Sequence, residues 1–64
     1  MSQKAKIIEC LSKGKWKSPV DALKEAGTMK LATRVGELRR QGYKINDIWH
    51  ESGKYKLYKL EQLL

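Results

Sequence analysis

The segment SPVDALKEAGTMKLATRVGELRRQG, residues 18–42, contains the clearest helix signals in the chain. Ser18 supplies an N-cap hydroxyl, and Pro19 is a residue favoured at the first helical position. Asp21 adds an acidic residue three positions after the cap, which is typical of helix starts. These residues predict a helix over about 19–26.

The second half of this segment predicts another helix directly after the first. Gly27 is a plausible stop for the first helix, and Thr28 follows it at once as another good N-cap. An apolar stripe at i, i+4 and i+7 consists of Leu31, Val35 and Leu38. Gly42 closes the pattern, so the second helix is expected over about 29–41, after a very tight turn.

The sequence before this pair predicts one more helix and a short connector. Ser2 can cap a helix whose apolar residues recur at helical spacing, and Gly14 is a plausible terminator. We therefore expect a helix over about 3–13. The stretch 15–17 alternates charge with one aromatic residue and is too short for a helix, so it predicts a short edge strand or a connector.

After Gly42 the pattern becomes typical of a β-hairpin. Apolar residues recur as far as Trp49, a turn containing Gly53 follows, and a second aromatic-rich run comes after it. A competing helical pattern, with leucines at i, i+3 and i+7, is formed by Leu57, Leu60 and Leu64. The three tyrosines and the glycine turn favour a hairpin over about 43–60.

The order of elements predicts one α+β domain over residues 1–64, with a three-helix helix-turn-helix core and a C-terminal two-stranded hairpin, or wing.

The formal net charge of +7 favours a polyanionic partner, either nucleic acid or an acidic membrane surface. No apolar run approaches the roughly 18 residues that span a bilayer, and no signal peptide opens the chain, so we expect a cytoplasmic protein. Cys10 is expected to be a buried structural thiol.

The outer face of the helix over 29–41 is the main candidate for a functional surface. At about 100° per residue, this face carries Met29, Thr33, Gly36, Glu37 and Arg40. The residues that flank it are Lys30, Arg34 and Gln41. Arginine can bond guanine edges, threonine can touch a base, and lysine neutralises phosphate. Glu37 can orient Arg34 or Arg40, and Gly36 either admits DNA close to the backbone or packs against the first helix.

Phosphate contacts are expected around that helix. Hydroxyls at helix starts, such as those of Ser18 and Thr28, can bind anions together with free amides and the helix dipole. Two further basic clusters can contact phosphates beside the major groove of DNA. They are Lys13, Lys15 and Lys17, and Lys54, Lys56 and Lys59. The candidate DNA-binding residues are therefore Ser18, Thr28, Met29, Lys30, Thr33, Arg34, Glu37, Arg40, Lys54 and Lys56.

The composition argues against catalysis, a metal site or a cofactor. One cysteine, one histidine and scattered acids provide neither a nucleophile with its base nor a metal cluster. His50 can touch a phosphate, but a surface role is favoured. The aromatic residues can stack on single-stranded bases, although a core this small favours their packing in the core or the wing; they include Trp16, Tyr43, Trp49 and Tyr58.

Four motifs resemble a family of small helix-turn-helix domains common in phages and prophages, and the match covers nearly the whole chain. They are SPVDAL at 18–23, GTMKLATRV at 27–35, LR at 38–39 and GY at 42–43. The resemblance implies three helices with a closing hairpin, to which the run ending Tyr58-Lys59-Leu60 is similar. It also implies DNA binding in phage gene control or recombination through the helix with Met29, Lys30, Thr33 and Arg34. Thr28 and Gly36 depart from the family pattern, in which a cysteine and a larger polar residue are frequent.

Three functions follow from this sequence. The leading hypothesis is a phage-type transcription regulator that binds double-stranded DNA. The alternatives are a recombination directionality factor that bends DNA and a protein-interaction module without DNA binding. A homodimer, or cooperative assembly on adjacent sites, would raise specificity, and Leu63 and Leu64 are a candidate contact for it.

Overall fold

Three helices and two strands follow one another in residues 2–62, the part of the chain that this computed structural model describes. They are α1 (Gln3–Leu11), α2 (Pro19–Ala26), α3 (Leu31–Arg40), β1 (Lys44–Trp49) and β2 (Lys56–Gln62). The predicted α+β fold, three helices followed by a two-stranded hairpin, is confirmed. Leu63 and Leu64, the candidate contact for a second copy, lie outside the described residues.

α2 has the bounds that its sequence predicts, because its signals are local. The Ser18 hydroxyl accepts a hydrogen bond from the Asp21 amide at 3.1 Å, and an Asp21 carboxylate oxygen accepts from the Ser18 amide at 3.0 Å. Hydrogen bonding to Ser18 lowers the pKa of Asp21 below its ordinary value. Pro19 occupies the first turn, and Gly27 ends the helix in the left-handed region with a φ of 70°.

α1 is shorter than predicted. It ends at Leu11 rather than at residue 13. The Ser12 amide bonds to the carbonyl oxygens of Ile8 and Glu9 at 3.0 and 3.3 Å, and the Ser12 hydroxyl donates to Glu9 at 2.9 Å. These bonds satisfy carbonyls of the last turn, so the helix does not need to continue to Lys13.

α3 begins at Leu31 rather than at residue 29, and the assignment of Thr28 as its N-cap is wrong. Thr28 is 2% exposed, and its hydroxyl accepts a hydrogen bond from the Lys30 amide at 3.2 Å. A threonine hydroxyl bonded two residues ahead closes a turn that competes with helix formation. Lys30 takes the N-cap position without a side-chain capping bond, and α3 ends at Arg40, one residue earlier than predicted.

β1 and β2 pair in an antiparallel hairpin. Ile45 lies opposite Leu60, and Gly53 in the connecting turn has a φ of 73°, which suits glycine. β2 extends to Gln62, beyond the predicted end of the hairpin at residue 60. The helical alternative for the C-terminal leucines is therefore wrong over the described residues, and Leu64 lies outside them.

One backbone bridge attaches the segment before α2 to the hairpin. Lys17 and Tyr58 exchange two hydrogen bonds, of 2.8 Å from the Lys17 amide and 2.9 Å from the Tyr58 amide. The edge strand considered for 15–17 is thus a single bridged residue. Because β1 pairs along the other side, β2 has a neighbour on both of its edges.

The core lies where the three helices meet one face of the hairpin. Its members come from all five elements: Ile7, Cys10, Leu11, Ala22, Ala26, Leu31, Val35, Leu38, Ile45 and Tyr58. The predicted stripe of α3 is buried here and is confirmed. Burial, reinforced by the carboxylate of Glu25, raises the pKa of the Cys10 thiol, as expected for a structural cysteine. None of the helices within residues 2–62 has the length and apolar character of a membrane span.

Candidate nucleic-acid interface

α3 has a narrower outward face than its sequence predicts. The buried stripe faces the core, and Arg34 and Glu37 lie on the side next to α1, where they help to line a cavity between the two helices. Thr33 and Arg40 are exposed. At helical spacing these two residues lie opposite the stripe, with Gly36 between them. Thr33, Gly36 and Arg40 therefore form the outward face of α3.

An ion pair offsets the positive charge on the α1 side of α3. Arg34 Nη1 lies 2.9 Å from Glu37 Oε1, and the two side chains are 40% and 44% exposed. The sequence left open whether Glu37 pairs with Arg34 or with Arg40, and the structure shows the pair with Arg34. Arg34 Nε is buried and has no hydrogen-bond partner within the described residues. Because Arg34 already donates to a carboxylate and lies beside α1, Arg40 is the stronger base-reading candidate.

Gly36 lies in the middle of the outward face with open space around it. A Cβ built on this residue meets no atom of residues 2–62 within 4 Å, its chain neighbours and helical backbone aside. Of the two explanations that the sequence left open for Gly36, close packing against α1 is therefore wrong. Glycine within a helix costs about 1 kcal/mol relative to alanine, and no contact inside the described chain offsets that cost.

An open groove between the start of α3 and the hairpin brings together half of the predicted residues. Met29, Lys30 and Thr33 line one side, and Lys54 and Lys56 line the other. Met29 is 84% exposed and lies in the turn before α3 rather than on the helix itself. The groove and the outward face of α3 share Thr33, so they form one continuous candidate surface.

Two predicted residues do not present their hydroxyls at this surface. Thr28 is buried, which corrects the prediction of a phosphate contact at the start of α3. Ser18 is half-buried and bonds to Asp21 through both its amide and its hydroxyl. The carboxylate of Asp21 thus occupies the place at the start of α2 where an anion would bind. Ser18 acts as a cap, and Thr28 acts as part of a turn.

Asp47 on β1 links α3 to both strands of the hairpin. Its Oδ2 accepts a hydrogen bond from Lys56 Nζ at 3.0 Å, and its Oδ1 lies 3.6 Å from Arg39 Nη2. The bond from Lys56 is the main cause that lowers the pKa of Asp47. Lys56 Nζ also lies 5.1 Å from the centroid of the Trp49 ring. Lys56 is therefore held beside the groove, with its charge shared with Asp47.

Trp49 is a groove residue that the sequence did not assign to the site. It is 62% exposed and lines the groove, whereas Tyr58 is buried, and Trp16 and Tyr43 are half-buried. The prediction that the aromatic residues pack in the core is confirmed for Tyr58. The sequence did contain one signal for Trp49: this residue comes directly before the predicted hairpin turn, and such a position lies at the edge of a fold.

The turn of the hairpin is organised by His50. Its Nδ1 accepts a hydrogen bond from the Ser52 amide at 3.1 Å and lies 2.9 Å from the Ser52 hydroxyl. The imidazole ring stacks on Tyr55 with a centroid separation of 4.5 Å. The Lys54 amide donates to the same Ser52 hydroxyl at 3.3 Å. These contacts fix the backbone from which the exposed Lys54 side chain extends.

Three cations at the candidate surface lack a carboxylate partner. Within residues 2–62, they are Lys30, Arg40 and Lys54, all exposed and outside every ion pair. The basic cluster before α2 differs from the prediction, because Lys13 and Lys17 bond to Glu25 at 3.2 and 2.8 Å. Positive charge is thus available at the outward face and the groove, and it is offset near Glu25.

The comparison with protein families agrees with this geometry. A family model described as a winged helix-turn-helix domain matches residues 2–61, which include all three helices and nearly all of the hairpin. No curated protein and no solved structure matches the chain. A helix-turn-helix followed by a wing points to DNA as the partner, and the exposed cations lie where that partner would be expected. The protein belongs to the winged helix-turn-helix domain family.

Proposed function

We propose that the protein is a sequence-specific regulator of transcription that binds double-stranded DNA, with the outward face of α3 in the major groove. The observation that carries the proposal is the set of exposed cations, Lys30, Arg40 and Lys54, that surrounds this face and the adjoining groove without carboxylate partners in residues 2–62. Such a surface releases counterions from DNA without first breaking internal ion pairs.

Each residue of the surface has a role that its surroundings support. Arg40 reads a guanine edge through its guanidinium group, and Thr33 contacts a base farther along the major groove. Lys30 and Lys54, on opposite sides of the groove, neutralise phosphates of the backbone. Met29 and Trp49 supply apolar contact to the sugar face of the strand between those lysines. The protein needs no cofactor and has no catalytic step in this role.

The phage-type assignment rests on the resemblance of residues 18–43 to small phage and prophage domains. A recombination directionality factor uses the same fold to bend DNA at several adjacent sites. The number of adjacent sites needed for the bend separates the two, measured by fluorescence transfer between the ends of duplexes that carry one site or several. A bend that appears only when several neighbouring sites are filled would support the recombination factor, whereas full binding at one site or at two half-sites supports the regulator.

The dependence of binding on salt tests DNA binding itself. For each phosphate neutralised, the slope of log affinity against log salt changes by about −0.9 for duplex DNA. We expect a slope that corresponds to several phosphates, together with enrichment of a shared sequence from a randomised duplex pool. Absence of duplex binding at low salt would contradict the proposal and would favour a protein-interaction module.

A further inference from the structure

Gly36 is the central residue of the outward face of α3. It follows the exposed Thr33 by three positions and precedes the exposed Arg40 by four, so the three residues form one row along the helix. Of this row, only Gly36 carries no side chain. The row therefore has a gap at its centre, between a hydroxyl and a guanidinium group.

Nothing within the described chain requires a glycine at this position. The described glycines with positive φ are Gly14, Gly27, Gly42 and Gly53, so Gly36 has a backbone conformation that alanine adopts readily. A Cβ would also lie in open space. The helix retains one of its least favourable residues where alanine fits without strain or collision. The described residues thus give no reason for the glycine, and this directs attention to a group that approaches α3 from outside.

The chemistry of the gap limits what that group can be. Gly36 presents only Cα hydrogens, because its amide and carbonyl are used by the hydrogen bonds of the helix. It therefore favours a group that fills space and needs no hydrogen bond. Among the base edges of the major groove, the C5-methyl group of thymine is the substituent with this character.

We infer that Gly36 receives the C5-methyl group of a thymine, and that it makes the sequence preference of α3 depend on the absence of a side chain at this position. The inference rests on the proposed function, because it requires α3 to lie in the major groove. Thr33 and Arg40 then read the base pairs on either side of that thymine. Gly36 is a specificity-determining residue that acts through shape.

The test combines a protein change with a single-methyl change in DNA. A duplex that wild type enriches from a randomised pool is remade with each thymine replaced in turn by deoxyuridine, which removes only the C5-methyl group. Wild type, Gly36→Ala and the larger Gly36→Gln are titrated against the series and against an unrelated duplex of equal length. Melting temperatures of the three proteins report whether the fold is kept.

We expect wild type to lose affinity about three- to tenfold at one deoxyuridine position, since one buried methyl group is removed. Gly36→Ala should bind the thymine duplex about tenfold more weakly and recover most of that loss on the deoxyuridine duplex at the same position. Gly36→Gln should lose more affinity for the thymine duplex than Gly36→Ala does, and it should recover less of that loss on the deoxyuridine duplex. Both variants should lose far less affinity for the unrelated duplex than for the enriched one, and Gly36→Ala should melt about 4–8 °C higher, because its helix is strengthened.

The outcomes separate this inference from the function on which it rests. If wild type enriches no duplex, the proposed function fails and the inference fails with it. If wild type binds and Gly36→Ala binds equally well, only the inference is overturned. Equal losses of Gly36→Ala on thymine and deoxyuridine at every position would also overturn it, because they would show no coupling to a methyl group.

Discussion

Arg39 donates hydrogen bonds from both Nε and Nη2 to the carbonyl oxygen of Ile45, at 3.2 and 2.6 Å. The end of α3 is thereby joined to the start of β1, and Asp47 supports the same guanidinium group from the strand. The adjacent Arg40 is exposed and makes no ion pair within residues 2–62. Both arginines are exposed, yet they differ in their contacts, because Arg39 holds α3 to β1 and Arg40 is outside every ion pair of the described residues.

Arg39→Ala should lower the free energy of unfolding by about 1–3 kcal/mol, because it removes a charged donor from a partly buried carbonyl. Arg40→Ala should change it by no more than about 0.5 kcal/mol, because no such side-chain bond joins Arg40 to the rest of the described chain. Urea titrations of the two variants measure the difference. Equal losses from both substitutions would contradict the division of tasks between these arginines.

Arg40→Ala should weaken binding to an enriched duplex by about 1–3 kcal/mol, with a much smaller effect on an unrelated duplex, if Arg40 reads a base. Arg34→Ala is the matched control on the same helix, and its effect should be smaller because Arg34 is already paired with Glu37. Competition titrations with both duplexes provide the measurement. A larger loss from Arg34→Ala would place the base contact on the α1 side of α3.

Lys54→Ala should weaken binding to all duplexes alike and should make the salt slope shallower by about 0.9, the value for one phosphate. Lys6→Ala removes an equal charge from α1, where Lys6 borders a different surface with Glu9 and Lys13. That control should leave the slope unchanged. If both variants alter the slope equally, the effect comes from net charge and not from a contact made by the wing.

Asp47→Asn should remove part of the pH dependence of stability. The pKa of Asp47 is lower in the folded chain than the ordinary value of 3.8, chiefly because Lys56 donates a hydrogen bond to it. Its stabilising contribution is therefore complete above that ordinary value and is lost as the pH falls through the lowered pKa. The urea midpoints of wild type and Asp47→Asn should differ at pH 6 and converge at acidic pH. A difference that stays constant down to about pH 2 would exclude this linkage.

The parts of the fold that sequence predicts well are those set by neighbouring residues. Ser18, Pro19 and Gly27 fix the bounds of α2, because each acts on the backbone within four residues. Thr28 has the same capping chemistry as Ser18, yet the packing of the core turns its side chain inward and delays the start of α3. Burial depends on residues distant in sequence. The neighbours of Ser18 and Thr28 along the chain therefore do not reveal that one hydroxyl caps a helix and the other is buried in a turn.

For the candidate surface, too, the sequence predicts what depends on local spacing and misses what depends on the packing of distant residues. Helical spacing placed Thr33 and Arg40 on the outward side, since it needs only the period of the helix. It could not show that Arg34 lies against α1 or that Arg39 reaches Ile45, because both depend on the angles at which α3 packs. Gly36 was recognisable as unusual from sequence, but only the structure shows that no neighbour among residues 2–62 requires a glycine there.

The bridge between Lys17 and Tyr58 has a consequence for how the molecule opens. Many hairpins fray independently of the helices beside them, but here two backbone hydrogen bonds attach β2 to the connection between α1 and α2. Tyr58 also fills the core with its side chain, so detaching the strand would break bonds and uncover apolar surface together. The amide protons of Lys17 and Tyr58 should therefore be protected from exchange with solvent by similar opening free energies, as members of a single cooperative unit.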